Sequence, residues 1–111
     1  MKDLSIIVDV IDGDKENGWI KVNYEYGEFI IHTLHVQDEE KKKGTGKFLL
    51  ESSEKIIRTF GGKIAVLYVV ENSWMEDWYK RNGYEVSNKG SYNDIQFKKK
   101  EPKYIRMEKV L

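Results

Sequence analysis

The spacing of apolar residues changes from that of a strand to that of a helix at Gly44-Thr45-Gly46. Before this glycine turn, residues 20–26 alternate strictly between apolar and polar side chains, which predicts a half-buried antiparallel strand. After the turn, residues recur at the spacing of one helix face, namely Phe48, Leu49, Leu50, Ser53, Ile56, Ile57 and Phe60. The sequence therefore predicts strands first and then a helix.

The N-terminal part is predicted to be an antiparallel meander of three strands, at residues 4–11, 20–26 and 29–36. Residues 12–18 are turn-like and separate the first two strands. Gly27 permits a tight connection between the second strand and the third.

The part after the glycine turn is predicted to contain a β-α-β crossover. Gly61-Gly62 ends the long helix and residues 63–70 follow as a buried strand, so this order predicts a parallel strand pair. A short helix is predicted over residues 73–81, with Asn72 or Ser73 as its cap. C-terminal strands are expected at residues 84–86 and 104–110. We therefore expect one α/β domain, residues 1–111, with a mixed sheet.

The composition of the chain argues against several classes of protein. The 111 residues, 40% of them hydrophobic, can build one packed core. Nineteen basic residues balance nineteen acidic ones, so no global field attracts nucleic acid or an anionic membrane. The absence of cysteine excludes disulfides and thiolate zinc sites, and two histidines argue against a metal centre. The sequence shows no signal peptide and no apolar run of membrane-spanning length, so we expect a cytoplasmic protein.

The glycine turn is a candidate anion site. Backbone N–H groups at the start of a helix lack intrahelical partners and lie at the positive end of the helix dipole. Gly44 and Gly46 place no Cβ atom in the way of a phosphate, and the neighbouring lysines add positive charge. A pyrophosphate fits this chemistry, although such glycines also occur in ordinary loops. The spacing matches neither a Walker loop nor the three-glycine dinucleotide fingerprint.

Two motifs between residues 29 and 86 resemble the GNAT acetyltransferase superfamily. The first is Lys41-Lys42-Lys43-Gly44-Thr45-Gly46, which is similar to the family's Gln/Arg-x-x-Gly-x-Gly/Ala turn after a strand. Lys41 replaces Gln or Arg; it can donate to phosphate but lacks the planar fork of arginine. The second is Trp78-Tyr79-Lys80-Arg81-Asn82-Gly83-Tyr84, which follows Asn72 as in the family's strand-Asn, helix, Tyr-x-x-x-Gly-Phe/Tyr signature.

The resemblance implies a protein that uses acetyl-CoA as co-substrate, without a metal. The backbone N–H groups of residues 41–47 would hold the pyrophosphate, and the main chain of residues 34–36 would bind the pantetheine and polarise the thioester carbonyl. Asn72 would contact the cofactor, or serve as a helix cap. The implied cofactor-binding residues are Leu34, His35, Val36, Lys41, Lys42, Lys43, Gly44, Thr45, Gly46, Lys47 and Asn72.

The resemblance also implies that Tyr79 is the general acid. Attack of an amine on the thioester expels a thiolate, which needs a proton, and a phenol is protonated at neutral pH. Trp74 and Trp78 belong to the same short helix, so Tyr79 is also readily interpreted as a core aromatic residue.

His32 is the candidate general base, since an ammonium group must lose a proton before the nitrogen can attack. Strand alternation predicts that Ile30, His32, Leu34 and Val36 share one face and that His35 lies on the other. Imidazole titrates near neutral pH, and some family members carry a histidine at this position. A lone histidine on a strand is also compatible with a structural role.

Larger family members place two helices between their first two strands, where this chain has residues 12–18. The resemblance then implies an open acceptor site, which suits a peptide or protein amine, or a site completed by a second subunit in a homodimer, better than an enclosed small-molecule amine. The sequence does not identify the acceptor. One alternative is a CoA-binding GNAT-fold module without transferase activity that acts through a protein partner. Another is a nucleic-acid-binding surface. The acidic residues 38–40 and the zero net charge argue against nucleic-acid binding.

Overall fold

The computed structural model describes residues 3–37, 44–87 and 104–111. In chain order, the elements of these residues are β1 (Leu4–Asp12), β2 (Lys15–Glu25), β3 (Glu28–Val36), α1 (Thr45–Thr59), β4 (Ile64–Val70), α2 (Trp74–Arg81), β5 (Glu85–Val86) and β6 (Tyr104–Val110). The strands belong to a six-stranded mixed sheet, which confirms the predicted α/β class. Two compact units divide the chain, one ending at Ala65 and including Leu111, the other Val66–Val110. The single domain predicted over residues 1–111 stays a prediction.

The first unit contains the predicted meander, β1-β2-β3, with both strand pairs antiparallel. β2 starts at Lys15, well before the predicted start at residue 20, so the connection from β1 is the tight turn Gly13-Asp14. Lys15 and Glu16 at the start of β2 are polar and exposed, and backbone pairing with β1 holds them in the strand without any hydrophobic alternation. Tyr26 and Gly27 join β2 to β3 with φ angles of 53° and 77°, which suits a two-residue hairpin turn.

Helix α1 packs on one face of this meander. On that face, Ile20 pairs with Leu34 and Val22 pairs with Ile31. A Cβ atom added to Gly18 would lie 3.1 Å from Cδ1 of Leu49, so glycine allows the helix to approach β2 closely. The buried residues of α1 are Thr45, Leu49, Leu50, Ser53, Glu54 and Ile57.

The end of α1 agrees with the sequence prediction, but the exposure of Phe48 does not. The helix ends at Thr59, and Gly61 follows with a φ of 86°, which confirms the glycine stop signal. Phe48 was predicted on the core face but is 58% exposed, because the buried stripe follows Leu49 and Leu50 instead.

The second unit has the strand order β4, β6, β5, with β5 antiparallel to β6. Its buried hydrophobic residues are Val66, Leu67, Val69, Tyr79, Tyr84 and Met107. Tyr84 precedes β5 rather than starting it, so the predicted strand at 84–86 is one residue shorter, whereas β6 has the predicted bounds. In the ranges that the structure describes, neither helix is long and apolar enough to cross a membrane.

Candidate functional site

The N-terminus of α1 is open. Its N-cap, Gly44, has a φ of 84° and a ψ of 6°, in the left-handed region that favours glycine. Among the described residues, no side-chain hydrogen bond caps the helix at Gly44, and the first turn contains no acidic residue. A Cβ atom added to Gly44 would meet no heavy atom of the described residues within 4 Å. With respect to the described residues, the positive end of the α1 dipole therefore has neither an acidic side chain nor a capping side chain that would compete with an anion.

The N-terminus of α2, by contrast, is closed by the chain's own side chains. The Oγ atom of Ser73 accepts the backbone N–H of Glu76 at 3.4 Å, and the Glu76 carboxylate accepts the backbone N–H of Asn72 at 2.7 Å. Ser73, rather than Asn72, is thus the N-cap. Asn72 is exposed and has a φ of 61°, and its contact with a cofactor stays a prediction.

The cofactor-binding residues predicted around the glycine turn fall into two groups. Lys41, Lys42 and Lys43 lie outside the described residues. Thr45, Gly46 and Lys47 form the first turn of α1, where Thr45 is buried and Lys47 is exposed. The exposed ammonium group of Lys47 belongs to the turn that an anion would approach.

The predicted residues at the end of β3 lie beside this helix start. β3 ends at Val36, as predicted, and Val36 pairs with Gly18. A Cβ atom on Gly18 would lie 2.8 Å from the carbonyl oxygen of His35 and 3.3 Å from Cγ2 of Thr45. Gly18 therefore brings the end of β3 and the start of α1 together, a role that sequence reasoning missed because Gly18 was assigned to a turn.

A β-bulge at His32 changes the faces of β3. Lys21 pairs with Thr33 and Val22 pairs with Ile31, so His32 is an extra residue on β3 without a partner in the β2 register. The prediction of one shared face was therefore wrong for Leu34 and Val36, which the bulge moves to the α1 side.

The same bulge corrects the prediction for His35. This residue pairs with Trp19, and their ring centroids are 6.2 Å apart. It lies on the face of β2 that also carries Glu25, and therefore on the face of His32 rather than opposite to it.

His32 is held by a residue that the sequence analysis missed. Its Nε2 atom lies 2.9 Å from Oε1 of Glu25, and the two side chains are 42% and 30% exposed. The strand alternation did place Glu25 on the polar face of β2. The contact itself depends on the shape of the hairpin, which the alternation does not give.

Tyr79 lies in the core of the second unit. It is 4% exposed, and its ring packs edge-on against Trp78 and Tyr84, with centroids 5.0 Å and 5.6 Å away. Burial raises the pKa of Tyr79 to about 12, because the phenolate would lose its hydration. The hydroxyl is therefore a proton donor at neutral pH. Trp74 is 68% exposed, so it does not share this core.

The side chains that could bind a metal ion among the described residues are those of His, Asp and Glu. No group of three or more His, Asp or Glu side chains in residues 3–37, 44–87 and 104–111 is arranged to hold a metal ion.

Neither protein-family models nor curated protein sequences match this chain, but solved structures do. PaiA N-acetyltransferase from Thermoplasma acidophilum, in complex with coenzyme A, has a TM-score of 0.76 at 23% identity, over 96% of this chain and 61% of that one. Nourseothricin acetyltransferase has a TM-score of 0.79 at 19% identity, over 96% of this chain and 65% of that one. An acetyltransferase assigned to the GNAT family, from Desulfovibrio desulfuricans, has a TM-score of 0.80 at 16% identity, over 96% of this chain and 69% of that one.

The chain spans less than two thirds of the length of the first two of these proteins. Nearly all of it nevertheless superposes on each of the three, so the resemblance inferred from the two sequence motifs is confirmed at the level of the fold. This chain has the GNAT acetyltransferase fold.

Proposed function

We propose that this protein is an N-acetyltransferase that moves the acetyl group of acetyl-CoA to a primary amine by direct attack. The observation that carries the proposal is the open N-terminus of α1 beside the end of β3, in a chain with the GNAT fold. The coenzyme A bound to PaiA N-acetyltransferase supports the choice of co-substrate.

The pyrophosphate of acetyl-CoA would bind at the start of α1. Gly44 has no side chain, a Cβ atom there would meet no described heavy atom within 4 Å, and Lys47 would supply a cation. Lys41, Lys42 and Lys43 would add charge from the preceding segment. The main chain of Leu34, His35 and Val36 would bind the pantetheine arm, and Asn72 would add a polar contact. A diphosphate suits this arrangement because the first turn contains no carboxylate to repel it.

The reaction needs a proton transfer at the attacking nitrogen, at the new amide and at the leaving sulfur. The ammonium group of the acceptor first gives a proton to His32, and the nitrogen lone pair then attacks the thioester carbonyl. The new C–N bond forms while the C–S bond breaks, and sulfur keeps the electron pair. Tyr79 donates its hydroxyl proton to this thiolate and is reprotonated, through water, by the second proton that the nitrogen loses as it becomes an amide. His32 releases the first proton to solvent. The products are an N-acetylated amine and free coenzyme A.

The acceptor we propose is an amine on a peptide or protein. The connection between β1 and β2 is only the turn Gly13-Asp14, so no helix from this interval encloses the acceptor. A long or flexible acceptor can reach an open site, whereas a small amine gains little binding energy there. A second copy of the chain in a homodimer could supply further walls.

The test is mass spectrometry of candidate acceptors incubated with the protein and acetyl-CoA. A panel of peptides, polyamines and aminoglycosides should contain at least one compound that gains an acetyl group, with peptides preferred. Omission of acetyl-CoA is the control. If calorimetry detects CoA binding but no acceptor is acetylated, the protein is a CoA-binding module that acts through a partner. If CoA does not bind, both proposals are wrong.

A further inference from the structure

We infer that Glu25 is a positioning residue for His32, and that Nδ1 of His32 is the atom that takes the amine proton. This inference rests on the proposed function, in which His32 is the general base.

A hydrogen bond joins the side chains of His32 and Glu25. Nε2 of His32 lies 2.9 Å from Oε1 of Glu25. In the part of the chain that the structure describes, this carboxylate is the hydrogen-bond partner found for the His32 ring. Glu25 is the last residue of β2 and pairs with Glu28 across the hairpin turn, so the contact with His32 runs along the sheet rather than directly across it.

The chemistry of the two groups fixes the tautomer. A glutamate carboxylate at neutral pH can only accept a hydrogen bond. The nitrogen that faces it, Nε2, must therefore carry a proton. In a neutral imidazole the other nitrogen then holds the free lone pair, so Nδ1 is the atom that can accept a proton from an amine.

The bulge supports the same assignment. His32 is the extra residue of β3, so it has no partner in the β2 register to constrain its ring. The ring is 42% exposed, and a ring so exposed can adopt several orientations unless something holds it. The Glu25 contact provides this restraint at Nε2 and does not engage Nδ1.

The effect on catalysis should be moderate. In the serine protease triad a buried carboxylate orients the histidine, and its loss through a wrong tautomer costs about 10⁴-fold in kcat. Here both groups are partly exposed, so water can replace part of the interaction. We expect roughly a tenfold loss of kcat when the carboxylate is removed.

The first experiment reads the tautomer directly. Protein labelled with ¹⁵N-histidine is studied by two-bond ¹H–¹⁵N correlation at about pH 9, above the ordinary titration range of histidine. His32 in the wild type should be protonated at Nε2 only. In Glu25→Gln it should be a mixture, because a glutamine amide can either accept from Nε2 or donate to it. A wild-type ring protonated at Nδ1, or an unchanged signal in the variant, would overturn the inference.

The second experiment measures kinetics with an acceptor that the wild type acetylates. Glu25→Gln should lower kcat roughly tenfold with the KM for acetyl-CoA unchanged, and Glu25→Asp, which keeps an acceptor-only group, should recover part of the loss. Glu28→Gln removes the same charge from the neighbouring hairpin position and should leave kcat unchanged. Equal loss in both Gln variants would mean that general charge, not positioning, is responsible. A wild type that acetylates no acceptor would refute the proposed function, while the tautomer measurement would still decide whether Glu25 fixes the ring.

Discussion

Oε1 of Glu76 accepts the backbone N–H of Asn72 at 2.7 Å. The other oxygen of the same carboxylate lies 2.8 Å from Nζ of Lys80, one turn further along α2. Asn72 has a φ of 61°, so this bond stabilises a left-handed residue where β4 passes into α2. Glu76 therefore closes the start of α2, and of the two described helices it is α1 that can offer its N-terminus to an anion.

The Glu76 contacts should appear in the pH dependence of stability. The hydrogen bond from Lys80, and then that from the Asn72 backbone, lower the pKa of Glu76 below its usual 4.5. A carboxyl whose pKa is lower in the folded state stabilises the fold above about pH 4.5, and this contribution is lost as the pH falls through the folded value. Glu76→Gln should therefore lower the free energy of unfolding by about 1 kcal/mol at pH 7.

Urea denaturation at two pH values checks this prediction. The difference between wild type and Glu76→Gln should shrink as the pH is lowered below about 4.5, because the contribution of the carboxylate is lost as the pH falls through its lowered folded-state pKa. Asp77→Asn removes another first-turn charge of α2, but no hydrogen bond to Asn72, and should cost only a few tenths of a kcal/mol. A difference that persists at acid pH would mean that the glutamine disturbs packing instead.

The start of α1 gives a prediction with a matched control. Gly44 and Gly61 have φ angles of 84° and 86°, and an added Cβ would meet no described heavy atom within 4 Å at either position. Alanine at either site should therefore cost a similar 1–2 kcal/mol of backbone strain. Only Gly44 lies at the proposed pyrophosphate site. Gly44→Ala should weaken CoA binding about tenfold, because the methyl group occupies the approach to the helix N–H groups, whereas Gly61→Ala should not.

Isothermal calorimetry on the two folded variants measures the difference. Equal affinities for CoA would place the pyrophosphate elsewhere on the protein. Equal losses of CoA affinity in both variants would mean that lower stability of the whole fold, rather than a local change at Gly44, weakens binding.

The fold was predictable because its signals are local. The alternation in residues 20–26, the helical spacing after Gly46 and the Gly61-Gly62 stop each depend on a few neighbouring residues. Residues 15–19 of β2 were missed because they show no hydrophobic alternation: Lys15 and Glu16 are exposed and pair with β1, whereas Gly18 and Trp19 also pair with β3.

The site was less predictable because it depends on registers and contacts between distant residues. The bulge at His32 is a property of the pairing of β3 with β2, and nothing in the β3 sequence alone marks it. It reversed the predicted faces of Leu34, His35 and Val36. The partnership of Glu25 with His32 depends likewise on the shape of the hairpin.

Gly18 provides a test of close packing between β2, β3 and α1. A Cβ atom there would lie 2.8 Å from the carbonyl oxygen of His35, and a backbone atom cannot move aside without disturbing the strand. Gly18→Ala should therefore lower the free energy of unfolding by about 1–3 kcal/mol. Urea denaturation measures this loss. A variant as stable as wild type would show that the sheet adjusts easily at the end of β3.

Burial of Tyr79 predicts a loss of stability in alkali. Its pKa is raised to about 12, so between about pH 10 and about 12 the unfolded chain loses the phenol proton while the folded chain keeps it. Stability should be fully present below pH 10 and fall through this window, by at most 2–3 kcal/mol. Tyr79→Phe lacks this ionisation. The free energy of unfolding of the wild type should therefore fall relative to that of the variant between pH 9 and pH 11. A constant difference would show that the hydroxyl is hydrated in the folded protein.

Tyr79→Phe also tests the proposed general acid. The phenylalanine ring keeps the edge contacts with Trp78 and Tyr84, so the fold and CoA affinity should survive. The donor is lost, and kcat with a verified acceptor should fall by roughly 10²–10⁴-fold, the usual effect of removing an acid–base group. The raised pKa of Tyr79 has two opposite effects on its role as an acid. It keeps the hydroxyl protonated near neutral pH, so the donor is always present. It also makes the phenol less acidic, so transfer of the proton to the thiolate is less favourable. A hydrogen bond to the thiolate, without complete transfer, would then account for part of the effect.

Trp78→Phe alters the same aromatic cluster without removing a hydroxyl and should change stability more than kcat. If Tyr79→Phe instead turns over at nearly the wild-type rate, Tyr79 is a core residue, and water protonates the departing thiolate.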